Sequence, residues 1–226
     1  MAKYYIYTKS SSATSTHPLK VVTEIAIKSF LSKAIFQFQA KVQETVESPS
    51  GNLLLVYFET NPCYPYEDSN RLILLDISSR IQLFSISEFG YYNASFSFNE
   101  DETLIVCSTK VCDLYINFDG KIANKNDYYI QCIEKGMQIN KFIINKFIKI
   151  KGNTYENRRK IINAIDLSIT NEVYGNPKIV SEFLRIKSDY LEMNGEYSLA
   201  LNCCLESIKY DSKSPVKNRV KRLLQK

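Results

Sequence analysis

The sequence has no tryptophan, one histidine and only seven glycines, and each shortage excludes a kind of active site. His17 would have to serve any Ser-His or Cys-His catalysis, because no other imidazole is present. The glycines are scattered, and neither a G-x-x-x-x-G-K phosphate loop nor a G-x-S-x-G nucleophile turn occurs. We therefore expect a protein that is not an enzyme and that uses no cofactor.

Metal-binding and membrane-spanning patterns are missing as well. Six cysteines are present, but no two of them form a C-x-x-C pair, and one histidine is too few for the usual zinc patterns. No run reaches the roughly 18 apolar residues of a membrane-spanning helix. Residues 1–18 lack the apolar core of about 7–15 residues that marks a signal peptide. We expect a cytoplasmic protein with reduced cysteines, no metal site and no membrane partner.

Charge is unevenly distributed along the chain. Residues 1–127 contain 11 Lys and Arg against 14 Asp and Glu, a net charge of −3, whereas residues 128–226 contain 18 against 10, a net charge of +8. A difference of this size between the halves indicates two modules, and it favours an acidic partner for the second. A solvated helical surface with outward lysines is the alternative interpretation.

Apolar and polar residues alternate along the first half with the period of two that is typical of β-strands. The alternation predicts strands at 4–7, 21–30 and 34–46. The loop at 61–70 contains two prolines, which break regular structure and leave its tyrosines and carboxylates to project. Exposed aromatic side chains on such a loop favour partner recognition, and tyrosines that fold back over the edge of the sheet are the alternative interpretation.

Two stretches of this half share one pattern: a polar turn, an apolar strand and then a further strand. They are SPSGNLLLVYFET (48–60) with the strand 71–79, and FSFNEDETLIVCST (96–109) with the strand 111–122. Residues 36–123 therefore resemble blades of a β-propeller of the WD40 kind. A propeller closes with about four or more four-stranded blades. The strands here suffice for two to two and a half, so we expect open antiparallel sheets and no closed ring.

The second half has its clearest pattern at residues 181–214. Two amphipathic runs with helical spacing lie on either side of Asn194-Gly195, where we expect Gly195 to adopt the left-handed conformation that ends a helix. Ser188 and Ala200 would face each other and let the two helices approach closely. The stretch resembles a tetratricopeptide repeat, a helical hairpin of roughly 34 residues.

Two positions depart from that repeat, since Lys187 stands where a leucine is usual and Ser212 replaces a proline. Helical spacing continues to the end of the chain, although residues 140–150 fit either a helix or a strand. We expect an α+β fold with two regions. An antiparallel, blade-like β region covers 1–126, and a bundle of antiparallel, tetratricopeptide-like helices covers 127–226.

This combination of open sheets and a short helical stack resembles the architecture of small bacterial toxin-immunity proteins. The resemblance implies a non-enzymatic protein in the cytoplasm that neutralises one cognate toxin by direct binding. Two other functions remain open on the residues alone. The basic half could bind nucleic acid, or the helical hairpin could act as an adaptor for a peptide tail.

Candidate partner-binding residues fall in three places: the proline-containing loop, the first helix of the hairpin and the C-terminal helix. In that order they are Tyr64, Tyr66, Glu67 and Asp68, then Arg185 and Asp189, and finally Lys217, Arg219, Lys221 and Arg222.

Overall fold

The structure is a computed structural model of the 226-residue chain. It describes residues 2–10, 21–59, 71–86, 94–171 and 176–226. The chain divides into two compact units, Met1–Ala123 and Asn124–Lys226. Antiparallel sheets occupy the first unit and helices the second, which confirms the predicted α+β class.

The β-rich unit contains ten strands within its described ranges, and they form three open sheets. The sheet orders are β1-β2-β3, β4-β5-β6-β7 and β10-β9-β8. The strands are β1 (Lys3–Ser10), β2 (Val21–Lys28), β3 (Lys33–Phe38), β4 (Val42–Glu47), β5 (Leu53–Phe58), β6 (Leu72–Asp76), β7 (Ile81–Ile86), β8 (Ser95–Phe98), β9 (Leu104–Ser108) and β10 (Asp113–Asn117).

The two central strands of the four-stranded sheet, β5 and β6, are buried on both faces. Every residue of β5 from Leu54 to Phe58 is buried. On one face Phe58 packs on Phe38 of β3, with ring centroids 4.9 Å apart, and on the other Tyr57 packs on Phe96 of β8 at 5.2 Å. A strand that is covered on both faces is apolar throughout, which explains why apolar and polar residues do not alternate along β5 and β6.

Two turns link the second and third sheets. Gly51, in the turn between β4 and β5, has φ 71°, the positive value that its turn needs. Ser50 lies in the same turn, and Glu102 lies in the turn between β8 and β9. The backbone N–H and the hydroxyl of Ser50 both donate to the Glu102 carboxylate at 2.6 Å. The side-chain hydrogen bond from Ser50 lowers the pKa of Glu102. The two similar turns of the sequence thus lie side by side.

The helical unit contains six helices among the described residues. They are α1 (Lys125–Lys135), α2 (Lys141–Lys151), α3 (Tyr155–Asn171), α4 (Pro177–Met193), α5 (Tyr197–Tyr210) and α6 (Lys217–Leu223). Residues 140–150, which fit either pattern in the sequence, form a helix. Asn140 caps it by accepting from the Ile143 N–H at 3.0 Å, and Ile143 and Phe147 are buried one turn apart.

Helices α4 and α5 form a close antiparallel hairpin. Ser188 and Ala200 are both 0% exposed, and the Ser188 hydroxyl donates to the Ala200 carbonyl at 3.0 Å. Towards the other end, the hydroxyls of Ser181 and Ser207 lie 2.8 Å apart. Small buried residues therefore let the two backbones approach closely, as predicted, and their hydroxyls are hydrogen-bonded.

The turn of this hairpin gives a first testable prediction. Gly195 has φ 79°, which confirms the predicted left-handed conformation. Nothing lies within 4 Å of a Cβ added there, so a substitution meets backbone strain alone. We expect Gly195→Val to lower the free energy of unfolding by about 1–2 kcal/mol. Urea unfolding measures this. Gly195→Asn should lose less, and a Gly195→Val curve that overlays the parent would contradict the strain.

Candidate partner-binding site

A groove of about 530 Å³ lies between α4 and α6. Arg185 and Asp189 line it from α4, and Asn218, Arg219 and Arg222 line it from α6. Four of the residues predicted from the sequence are thereby brought together, although they come from two helices that are about 30 residues apart in the chain.

Helix α6 is held beside α4 by buried apolar residues. Val216, just before α6, and Leu223, at its end, are 3% and 4% exposed. Both belong to the apolar core that α4 and α5 share, with Leu184 and Leu191 of α4. The arginines of α6 are thus placed by packing, on the side of the helix next to α4.

Two of the three arginines are bound by carboxylates of α4. Arg219 pairs with Asp189 through Nη2, and its Nε lies 3.5 Å from a Glu192 oxygen. The Arg222 Nη2 donates to both Glu192 oxygens at 2.8 Å. Burial, and after it the nearby charge of Arg222, lowers the pKa of Arg219, although an arginine remains cationic at any physiological pH. These pairs fix the directions of both guanidinium groups.

Arg185 differs from its two neighbours. It is half-buried, and its Nε is buried without a hydrogen-bond acceptor in the part of the chain that the structure describes. Its backbone carbonyl is used, because the Arg219 Nη1 donates to it at 3.5 Å. The groove therefore contains one arginine whose donors are incompletely satisfied.

Lys217 and Lys221 occupy a different position from the arginines. Both are exposed, and they stand one helical turn apart on α6. Neither takes part in an ion pair with another described residue. They form a cationic rim outside the groove.

The remaining predicted residues, Tyr64, Tyr66, Glu67 and Asp68, lie outside the described residues, as do His17 and Cys63. Glu192 is not among the candidate residues named from the sequence, yet it binds both Arg219 and Arg222. A signal was available, because the carboxylates at 189 and 192 have the same three-residue spacing as the arginines at 219 and 222.

The five cysteines of the described ranges form no disulfide, and all of them except Cys112 are buried. Burial raises the pKa of Cys107 to about 12 and that of Cys203 to about 11. Because the thiolate is the reactive form, both side chains are poor nucleophiles at neutral pH. Within the same ranges no group of three or more His, Cys, Asp or Glu could hold a metal ion, and no helix is long and apolar enough to cross a membrane.

The fold and the groove define an α+β protein with three open antiparallel sheets and a helical unit that carries an arginine-lined groove. No protein-family model matches the chain. No curated protein matches it in sequence. A similar solved structure, titled "Crystal structure of HIRA(644-1017)", is 7% identical over 97% of this chain and 95% of that chain, with a TM-score of 0.25. A likeness at this level carries no argument about fold or function.

Proposed function

We propose that the chain is a non-enzymatic binding protein that holds an acidic surface of one protein partner in the groove between α4 and α6. The observation that carries the proposal is the convergence of three arginines, Arg185, Arg219 and Arg222, on one groove. Guanidinium groups bind carboxylates through paired, directional hydrogen bonds. An acidic surface is therefore the chemistry that fits.

The three arginines contribute differently to such binding. Asp189 and Glu192 hold Arg219 and Arg222 in place, so little side-chain entropy is lost when a partner arrives. Arg185 keeps a buried N–H without an acceptor among the described residues. An unsatisfied buried donor costs about 1–3 kcal/mol, and relief by a partner carboxylate requires the enclosed Nε to become accessible on binding.

The rim lysines, Lys217 and Lys221, have a separate role in this proposal. Exposed cations contribute more to the rate of encounter than to the strength of the final complex. They would steer an acidic partner toward the groove, and salt would weaken this effect because the screening length is about 10 Å at 0.1 M.

The specific form of the proposal is an immunity protein that neutralises a cognate toxin in the cytoplasm, and this form rests on the architectural resemblance alone. Nucleic acid is the less favoured alternative. The basic residues of the helical unit alternate with acids such as Glu182 and Glu196, and no nucleic-acid-reading motif occurs in the sequence. An adaptor for a peptide tail would use the same groove, which a single hairpin keeps short.

The experiment uses matched pairs of charge-removing variants. The tagged full chain is used to capture proteins from the source cell, and these are identified by mass spectrometry. The kinetics with which each captured protein binds the chain are then measured at two salt concentrations. We expect Lys217→Gln with Lys221→Gln to slow association roughly three- to tenfold at low salt and much less at high salt. Arg185→Gln should instead raise the dissociation rate. The control, Lys149→Gln with Lys151→Gln on α2, removes the same charge from exposed positions elsewhere.

Three outcomes would contradict the proposal. Unchanged kinetics in the Arg185 and rim variants would show that another face binds. Capture of duplex nucleic acid, with log affinity falling steeply and linearly with log salt, would favour the nucleic-acid alternative. Equal slowing by the α2 control would show that only the overall charge matters.

A further inference from the structure

The turn between β2 and β3 presents two large apolar side chains to solvent. Phe30 is 100% exposed and Leu31 is 89% exposed, the two highest values among the large hydrophobic residues described. The turn itself is held by hydrogen bonds. The Ser29 N–H donates to the Ser32 carbonyl at 2.8 Å, and the Arg80 Nη1 donates to the Ser29 hydroxyl at 3.0 Å. We call Phe30 and Leu31 the apolar tip.

A row of lysines lies directly behind this tip. Lys28 pairs with Lys3 on β1 and with Lys33 on β3, so three lysines stand side by side across the whole sheet. Like charges directly opposite one another are destabilising. None of the three takes part in an ion pair with another described residue, and the Lys28 Nζ lies 5.0 Å from the centroid of the Tyr5 ring. The row therefore favours an anionic ligand.

The outward face of the same sheet also combines lysine with exposed apolar and aromatic side chains. Its inward residues, such as Tyr4, Ile6 and Ile25, pack in the core, so alternate positions face away from it. The outward positions include Lys9 and a single carboxylate, Glu24. They also include three half-exposed apolar or aromatic side chains, namely Tyr5, Tyr7 and Ile35.

The order of these groups fits a lipid surface. The tip lies two residues beyond Lys28 and Lys33 on each strand, a reach of about 7 Å at roughly 3.3 Å per residue. Surface-bound protein segments bury apolar side chains to a depth of about 5–10 Å, at the boundary of headgroups and acyl chains. With the tip at that depth, the lysine row would lie at the level of the headgroups, where anionic lipids attract lysine.

We propose that the sheet β1-β2-β3 binds peripherally to an anionic lipid bilayer, with Phe30 and Leu31 inserted and Lys3, Lys28 and Lys33 contacting the headgroups. Single-stranded nucleic acid fits the lysines and tyrosines but offers nothing that stacks on a leucine side chain. This surface belongs to the β-rich unit and is independent of the groove in the helical unit. The sequence-based expectation of no membrane partner rested on the lack of an apolar span, which a peripheral contact does not require.

The absence of tryptophan supplies a direct test with the full chain. Phe30→Trp places the only indole at a fully exposed position, so folding should be unaffected. We expect its fluorescence to shift to shorter wavelength with vesicles of seven parts phosphatidylcholine to three parts phosphatidylserine, and not with pure phosphatidylcholine. Leu199→Trp, at a position on α5 that is 52% exposed, is the matched control and should not shift. A Phe30→Trp signal that anionic vesicles leave unchanged would overturn the proposal.

Sedimentation with the same vesicles separates the two contributions. Phe30→Ser with Leu31→Ser should weaken binding on the order of tenfold or more, since two apolar side chains no longer insert. Lys28→Gln with Lys33→Gln should weaken binding to the anionic vesicles about 25-fold, or roughly fivefold for each lysine. Lys149→Gln with Lys151→Gln should bind like the parent. Equal binding by the parent and the tip variant would overturn the proposal. The proposal would also be overturned if the parent did not sediment with the vesicles but captured a protein partner that the Phe30→Ser, Leu31→Ser variant did not capture.

Discussion

Replacing Phe58 with alanine should lower the free energy of unfolding of the β-rich unit by about 3–5 kcal/mol. Phe58 is 0% exposed and closes β5 in the middle sheet, where it packs on Phe38 at 4.9 Å between ring centroids. Its removal leaves a cavity between two sheets, and strands paired on both sides cannot move together to fill it. The loss is a large part of the whole stability of a small unit.

Urea unfolding followed by far-ultraviolet circular dichroism measures this loss. The matched control is Ile81→Ala, because Ile81 is also a large apolar residue of the same sheet but is 49% exposed at the start of the edge strand β7. We expect the control to cost well under 1 kcal/mol. A Phe58→Ala loss as small as that of the control would show that Phe58 is not enclosed as the structure places it.

The strands of the β-rich unit could be predicted from the sequence where both faces of a strand are buried. The points at which the chain passes from one sheet to the next could not be predicted. The apolar runs of β5 and β6 indicated strands directly. Residues 34–46 were predicted as one strand, which is wrong, because β3 ends at Phe38 and β4 begins at Val42 in another sheet. No glycine, proline or asparagine marks this corner. It is held by tertiary contact, since Thr23 on β2 donates to the Ala40 carbonyl at 2.6 Å.

The apolar tip was missed for a related reason. The strand prediction for 21–30 included Phe30, because phenylalanine is a good strand former. In the structure β2 ends at Lys28, and the hydrogen bond between Ser29 and Ser32 closes a turn that carries Phe30 outward. The alternation of apolar and polar residues identifies the side chains that are suited to a buried face. Whether such a side chain is exposed depends on where the strand ends and the turn begins.

The groove illustrates the opposite case. Arg185, Asp189, Arg219 and Arg222 were assigned from charge and helical spacing on two separate helices, and the structure brings all four to one groove. Their charges could be predicted, but not their pairing. The Arg219 contact with Asp189 depends on how α6 packs on α4, which amphipathic spacing alone does not determine.

The largest glycine effect is expected at Gly136, which ends α1 with φ 63°. A Cβ built there would lie 2.5 Å from the Leu167 Cβ and 3.1 Å from the Ala164 carbonyl oxygen, both on α3. Gly136→Ala therefore combines left-handed strain of about 1–2 kcal/mol with an overlap against a helix backbone that adds roughly 1–3 kcal/mol. We expect a loss of about 2–5 kcal/mol in the free energy of unfolding.

Gly195→Ala is the matched control for Gly136→Ala. Gly195 has a similar positive φ of 79°, but no atom lies within 4 Å of its added Cβ, so the control carries the strain without the overlap. The difference between the two variants in urea unfolding isolates the steric contribution at the contact of α1 with α3. A second variant, Gly136→Ala with Leu167→Ala, should not recover the full loss, because the Ala164 carbonyl and the residue-167 Cβ itself remain in place. Equal losses at Gly136 and Gly195 would show that the added Cβ has no steric cost, and that the contact of α1 with α3 does not require a glycine at position 136.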